Sequence, residues 1–341
     1  MNYPKYRLSI LLLFIVLLII LPACNSSTVA GTEGKANAKD AKDAKAKFTV
    51  SVANMGLSNL HVIKEKGWLE EELAKIGADV EWSNHPAGPP INEGLASKRI
   101  DLAVLGEGAI LSGINNKLDV KLVSLLSNGL YGVNYLIVPA NSDIKEIADL
   151  KGKKIGVQLG TSHHVFLLKA LKTADLQLDD VKAVNLVITD AQPAFQTGQL
   201  DAWVTADPFA QIELNKNGAK LIASGESLDV VSPTFYIARG AFAKEHPEAV
   251  EIFLKVIDRA LQLEKENHEE FITLAAKNSG RDRALIETFA SNAKYENNPP
   301  SEEILKQLQD SADILTDLGY LTEKLDIKPY VDNTYIEGIR K

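Results

Sequence analysis

From Phe48 onward the apolar positions follow two rhythms. Phe48-Thr-Val-Ser-Val-Ala53 alternates with the two-residue period of a strand. Ser58 to Ile76 then sets Leu60, Ile63, Leu69 and Leu73 near helical spacing, which predicts a helix. Val80-Glu-Trp82 reads as a short strand. Pro89-Pro90 opens a helix running to Lys98, because proline suits a first helical turn. Asp101 to Leu105 is a third strand, with a short helix from Gly108, and Val120 to Leu126 is a fourth. Strands alternating with helices predict a mostly parallel sheet with helices on its faces.

The same idiom then repeats. Ile155 to Gln158, Val184 to Ile188, Ala202 to Thr205 and Lys220 to Ala223 read as strands. Ser162 to Ala174, Ala191 to Thr197 and a segment from Pro208 read as helices. Asn134-Tyr-Leu-Ile-Val138 and Thr234-Phe-Tyr-Ile-Ala238 bracket this second set and read as crossings between two lobes. A chain that leaves one lobe and later returns makes a two-stranded hinge, which permits closure around a ligand. Glu248 to about Glu266 is strongly helical, and further helices to Leu318 are expected to pack on the first lobe. The boundaries expected are 48–135 with 236–341 for lobe 1 and 136–235 for lobe 2.

The residues before Phe48 read as an address. Lys5 and Arg7 precede an apolar run from Ile10 to Leu21, about the length of a signal-peptide core and short for a bilayer span. Leu21-Pro-Ala-Cys24 follows. Leu, a spacer, a small residue and Cys resemble the bacterial lipoprotein cleavage box, which implies a signal peptide over 1–23 and acylation of Cys24. Residues 24–47 are rich in Ala, Lys and Asp, bury no apolar area, and read as a flexible tether. The expected location is extracytoplasmic, held to the cell membrane by lipid on Cys24.

Composition narrows the partners. The 341 residues carry a net charge of −8, so a nucleic-acid partner is not expected, since phosphate binding needs a basic face. Cys24 is the only cysteine, which rules out an intrachain disulfide and a multi-cysteine metal site. There is no Gly-x-Ser-x-Gly elbow, no Walker loop and no His-Glu-x-x-His, so the motifs of common enzymes are missing. No enzyme activity, cofactor or metal is expected, and the protein reads as a monomer.

Three stretches carry a family resemblance. They are Asn84-His-Pro-Ala-Gly-Pro-Pro90 with Glu93 to Ala103, Asp149 to His163, and Asp201-Ala-Trp-Val-Thr-Ala-Asp-Pro-Phe209. Together they resemble the aliphatic-sulfonate-binding proteins of ATP-driven importers, whose relatives bind taurine, nitrate or thiamine precursors. The resemblance implies an α/β, two-lobe periplasmic-binding-protein-like fold of type II. It also implies a small organic anion as ligand, an aliphatic sulfonate or taurine, and an ABC permease with its ATPase as partners. A pyrimidine or nitrate binder of the same fold is the alternative, with an enzyme of thiamine-precursor synthesis behind it. The chain has Leu105-Gly-Glu107 where the family usually has Thr-Gly-Asp, and Ala206-Asp-Pro-Phe209 where it often has Trp-Asp-Pro-Tyr.

Ligands of α/β sheets sit beyond the carboxyl ends of strands, where helices begin. Three junctions therefore become candidates: Gly106-Glu107-Gly108, Gly160-Thr161-Ser162-His163, and Thr205-Ala206-Asp207. Backbone N–H groups at helix starts, with hydroxyls from Thr161, Ser162 and Thr205, suit a compact oxyanion. Other candidates have two readings each. Asn54 is a ligand donor or a turn cap. Glu107 and Asp207 either hold a ligand amine or are helix-start acids. Trp203 is core or ligand wall, Tyr131 lines the cleft or lies on the surface, and His163 donates to the anion or caps a helix.

Overall fold

The computed structural model describes residues 48–55 and 58–341. The segments read as a signal peptide and a tether, with Cys24, lie outside the described residues. Within them are two five-stranded sheets. The first holds β1 (Phe48–Met55), β2 (Ala78–His85), β3 (Leu102–Gly106) and β4 (Val120–Ser127). The second holds β5 (Tyr135–Val138), β6 (Lys154–Val157), β7 (Lys182–Asn185), β8 (Ala202–Thr205) and β9 (Lys220–Ser224). The last strand, β10 (Thr234–Arg239), returns to the first sheet. The orders are β2-β1-β3-β10-β4 and β7-β6-β8-β5-β9. Each sheet is mostly parallel with one reversed strand, β10 in the first and β5 in the second.

The helices fill the crossovers. They are α1 (Leu60–Lys66), α2 (Trp68–Ala74), α3 (Gly88–Ala96), α4 (Glu107–Asn115), α5 (Ser162–Lys172), α6 (Ile188–Gln196) and α7 (Phe209–Lys216). The short α8 (Gly225–Leu228) and α9 (Gly240–Glu245) flank β10. After them come α10 (Pro247–Glu266), α11 (His268–Ser279), α12 (Arg283–Ala293), α13 (Glu302–Asp317) and α14 (Thr334–Gly338). Val250, Phe253, Leu254 and Ile257 of α10 pack with Val50, Val52 and Tyr236 of the first sheet, so its periodic face is core.

Three details differ from the sequence reading, each for a local reason. The helix expected over Ser58–Ile76 is two helices, because Gly67 adopts a left-handed φ of 66° and caps the end of α1. The strand expected at Val184–Ile188 is Lys182–Asn185. Its partner β6 is only four residues long, so the ladder stops at Asn185 and Ile188 begins α6. The segments expected to cross between lobes are themselves inner strands, β5 and β10. The crossings are the loops just before them, joined where Ser232 N donates to Asn128 O at 3.1 Å and Asn134 Nδ2 donates to Ser232 Oγ at 2.6 Å.

Helix α13 ties the two sheets' helices together. Its Ile304, Leu308, Ala312 and Leu315 share one core with Ile110 and Ile114 of α4 and with Val165 and Leu168 of α5. In the same region His164 is buried, its ring lies 4.1 Å from that of Tyr320, and its Nε2 has no hydrogen-bond partner. Burial pushes its pKa from 6.5 down to about 4. The folded protein then binds fewer protons than the unfolded chain between those values. Stability from this group is therefore full above pH 6.5 and is lost as pH falls toward 4, by about 3 kcal/mol. His164→Phe is expected to flatten that slope. Urea denaturation of both proteins at pH 7 and pH 5 measures it, and equal slopes would contradict the assignment.

Candidate functional site

The carboxyl ends of the parallel strands open onto one cavity of about 500 Å³. Met55 ends β1, His85 ends β2 and Gly106 ends β3, and all three line it. Gln158 follows β6 and Ala206 follows β8, and they line it from the second sheet. The crossing loops contribute Tyr131, Gly132 and Val133. This is the placement that the strand-end rule for α/β sheets requires.

The three helix starts do not offer the same chemistry. At α4 the Glu107 N–H already donates to Pro233 O at 3.0 Å. At the third junction the Asp207 N–H donates to Gly132 O at 2.8 Å. At α5 the first backbone donors that return into the helix are those of His164 and Val165, both to Thr161 O. The N–H groups of Ser162 and His163 come before that return, and both residues line the cavity. Thr161 Oγ1 donates to Gln158 O at 2.6 Å and closes the turn, while Gly160 supplies the left-handed φ of 73° that the turn needs. At α5 the first two N–H groups are therefore left for an anion, whereas the N–H of Glu107 and that of Asp207 are already engaged at the other two junctions.

Seven of the candidate residues line the cavity: Asn54, Gly106, Tyr131, Thr161, Ser162, His163 and Asp207. The Asn54 side-chain carbonyl accepts from Ser58 Oγ at 2.6 Å, which leaves its amide nitrogen as the group to donate. Glu107, Gly108 and Trp203 stand away from the wall, which for Trp203 is the core reading and for Glu107 the helix-start reading. Glu107 is fully buried behind it, where Oε2 accepts from Ser311 Oγ of α13 at 2.9 Å. Burial holds its pKa above the ordinary range, offset by Lys169 and by the Ser232 and Ser311 hydroxyls. Gly108 is the contact point of two helix starts, since a Cβ there would lie 2.3 Å from the Thr161 carbonyl carbon. Trp203 packs inside the second sheet against Phe195 and Leu200. Thr205 is likewise buried and away from the cavity.

Charge is sparse at the wall. Among the described lining residues Asp207 is the one carboxylate and Arg281 the one Lys or Arg. Asp207 Oδ2 accepts from Tyr135 OH at 3.3 Å and from Asn292 Nδ2, while Oδ1 has no partner. Burial raises its pKa, and the hydrogen bonds from Asn292, Gln211 and Tyr135 offset part of that rise. Burial also pushes the Tyr135 phenol up to about 12, with the Asp207 charge adding to it. Burial lowers His163 to about 4, so at neutral pH its imidazole is uncharged. The wall therefore meets an anion with fixed dipoles more than with net charge. Among the described residues no group of three or more His, Cys, Asp or Glu could hold a metal ion.

Sequence reasoning missed part of this wall. Leu285, Phe289 and Ala293 recur every fourth residue along α12 and all face the cavity, with Arg281 just before them. Nothing in their spacing separates a ligand-facing stripe from an ordinary core stripe. The loop His85-Pro-Ala-Gly88 was legible in principle, because it follows a strand end and carries the Pro-Ala-Gly-Pro-Pro motif.

Comparison with known proteins places the chain. Residues 54–270 match the family model described as NMT1/THI5 like. A protein of Bacillus subtilis (strain 168) assigned as an aliphatic sulfonates-binding protein is 35% identical over 281 residues, 82% of this chain and 84% of that one. The alkanesulfonate-binding protein SsuA from Xanthomonas axonopodis pv. citri, solved bound to MOPS, superimposes with a TM-score of 0.75 at 26% identity, over 83% of this chain and 98% of that one. The fold alone is shared with the desulfurization enzyme DszB, at a TM-score of 0.62 and 15% identity over 86% of this chain and 98% of that one. With its two helix-flanked mixed sheets, its cavity at the strand ends and a family match that spans most of both sheets, the chain belongs to the NMT1/THI5-like family and has the fold of the periplasmic sulfonate-binding proteins.

Proposed function

We propose that this protein is the extracytoplasmic solute-binding component of an ABC importer, and that it captures a sulfonate between two lobes and delivers it to a permease. The lobes are 48–135 with 236–341, and 136–235, shifted by a residue or two so that β5 lies wholly in the second and β10 wholly in the first, and the paired crossing loops are the hinge. Lipid on Cys24 holds the protein to the membrane, and it works as a monomer without catalysing a reaction. The observation that carries the reading is the start of α5, where Ser162 and His163 line the cavity with backbone N–H groups that the helix itself does not use, beside the Ser162 hydroxyl. Similarity to sulfonate-binding proteins supports the choice of anion.

Magnitudes decide how the site must work. One helix start contributes about 0.3–1 kcal/mol, and about 2 kcal/mol when partly buried. Micromolar binding requires about 8 kcal/mol. Charge-assisted hydrogen bonds at about 1.5–3 kcal/mol each must supply the difference, so several donors have to converge when the lobes close.

A thermal-shift panel tests the reading. It contains alkanesulfonates, taurine, nitrate, sulfate and an aminopyrimidine. A ligand at a hundred times its Kd is expected to raise the melting temperature by roughly 5 °C. A rise with sulfonates and none with nitrate or aminopyrimidine supports it. A rise with the aminopyrimidine alone overturns the anion assignment. Consumption of a sulfonate on prolonged incubation would overturn the non-enzymatic one.

A further inference from the structure

The polar corner at α5 occupies a small part of the cavity, and the remaining wall is built for something else. The wall of α12 presents Leu285 and Phe289, one helical turn apart, both half-buried. Phe289 is backed by Tyr295 at 6.4 Å between ring centroids, and Tyr295 also lines the cavity. Across from the first sheet, Ile188 and Phe209 supply apolar surface from the second. The volume of about 500 Å³ falls in the range of roughly 300–1,000 Å³ that encloses drug-sized organic molecules. A two-carbon aminosulfonate leaves most of that space and most of that apolar wall unused.

We infer that the ligand is an aryl sulfonate, with its sulfonate at the start of α5 and its ring against Phe289 and Leu285 of α12. Rings favour this wall over a flexible alkyl chain for two reasons. Aromatic pairs gain offset or edge contacts beyond plain area burial. A rigid ring also loses no chain entropy when it is fixed. Helix α12 is thus the specificity element, and the α5 corner serves any sulfonate alike. The inference rests on the sulfonate reading above and narrows it.

Calorimetric titration of the full chain separates the two. The probes are methanesulfonate, taurine, 4-toluenesulfonate and 2-naphthalenesulfonate, with 2-naphthoate as the head-group control. The naphthalene sulfonate is expected to bind about a hundredfold more tightly than methanesulfonate, from the apolar area of two fused rings. Phe289→Ala is expected to weaken naphthalenesulfonate about tenfold and to leave methanesulfonate within twofold. Leu285→Ala gives the same pattern more weakly, and serves if the first variant does not fold. Methanesulfonate or taurine binding as tightly as the aryl sulfonates overturns the inference and leaves the sulfonate reading standing. Equal weakening of both classes by the α12 variants also overturns it. If 2-naphthoate binds as well as the sulfonate, the ring wall stands and the sulfonate reading fails.

Discussion

Replacing Gly108 with alanine is expected to destabilise the protein and to cost it most of its ligand affinity, although alanine is the better helix former. Helix propensity favours the change by about 1 kcal/mol. Sterics oppose it: the added Cβ would lie 2.3 Å from the Thr161 carbonyl carbon and 2.4 Å from its oxygen. Those atoms are backbone, so α4 and the start of α5 must separate. Overpacking of this kind costs about 1–3 kcal/mol and sometimes more. The sign of the net effect therefore tests the close approach of the two helices. Urea denaturation should show a lower midpoint, and titration with a sulfonate should show binding at least about tenfold weaker, because the displaced turn is the one that carries the spare N–H groups. A variant as stable as the parent, or one that binds as well, would mean that the two helix starts do not meet there.

Ser162→Pro should instead leave the fold intact and weaken sulfonate binding roughly 10- to 150-fold, the worth of one charge-assisted hydrogen bond. Ser162 is the first residue of α5, where proline removes no intrahelical bond. Thr161 before it is extended, with φ −121° and ψ 175°, which is the conformation that a following proline favours. The substitution deletes one backbone donor and one hydroxyl. Ser162→Ala removes the hydroxyl alone, so comparing the two affinities isolates the N–H. An unchanged Kd for the proline variant, with a normal melting temperature, would remove this junction from the anion site.

Both experiments turn on contacts between parts of the chain far apart in sequence, and this is where sequence reading stopped. The α5 corner was legible because its chemistry is local. A strand, a glycine turn, two hydroxyl residues and a helix start follow one another from Ile155 to Ser162, and the strand-end rule points at them. Glu107 looked equivalent to those residues by the same rule, and Trp203, inside β8, had both a core and a wall reading. Neither lines the cavity, because a residue of the sheet or of a helix start can face the cavity or face the layer behind it. Glu107 is taken by Ser311, two hundred residues later, and Trp203 by its neighbours in the second sheet. The N–H groups of Glu107 and Asp207 were lost in the same way, to carbonyls of the crossing loops.

The sequence by itself determined the period of each element, and through it two α/β sheets, their order along the chain and the helices that cover them. These follow from local hydrophobic alternation and from turn residues, which act within a few positions. The tertiary structure decided which helix-start N–H groups are engaged, which carboxylate is engaged, and that α12 forms the apolar wall. Those outcomes depend on which distant group reaches a given atom first. A buried N–H or carboxylate must be satisfied by whatever the fold brings within about 3 Å, and spacing along the chain does not record that.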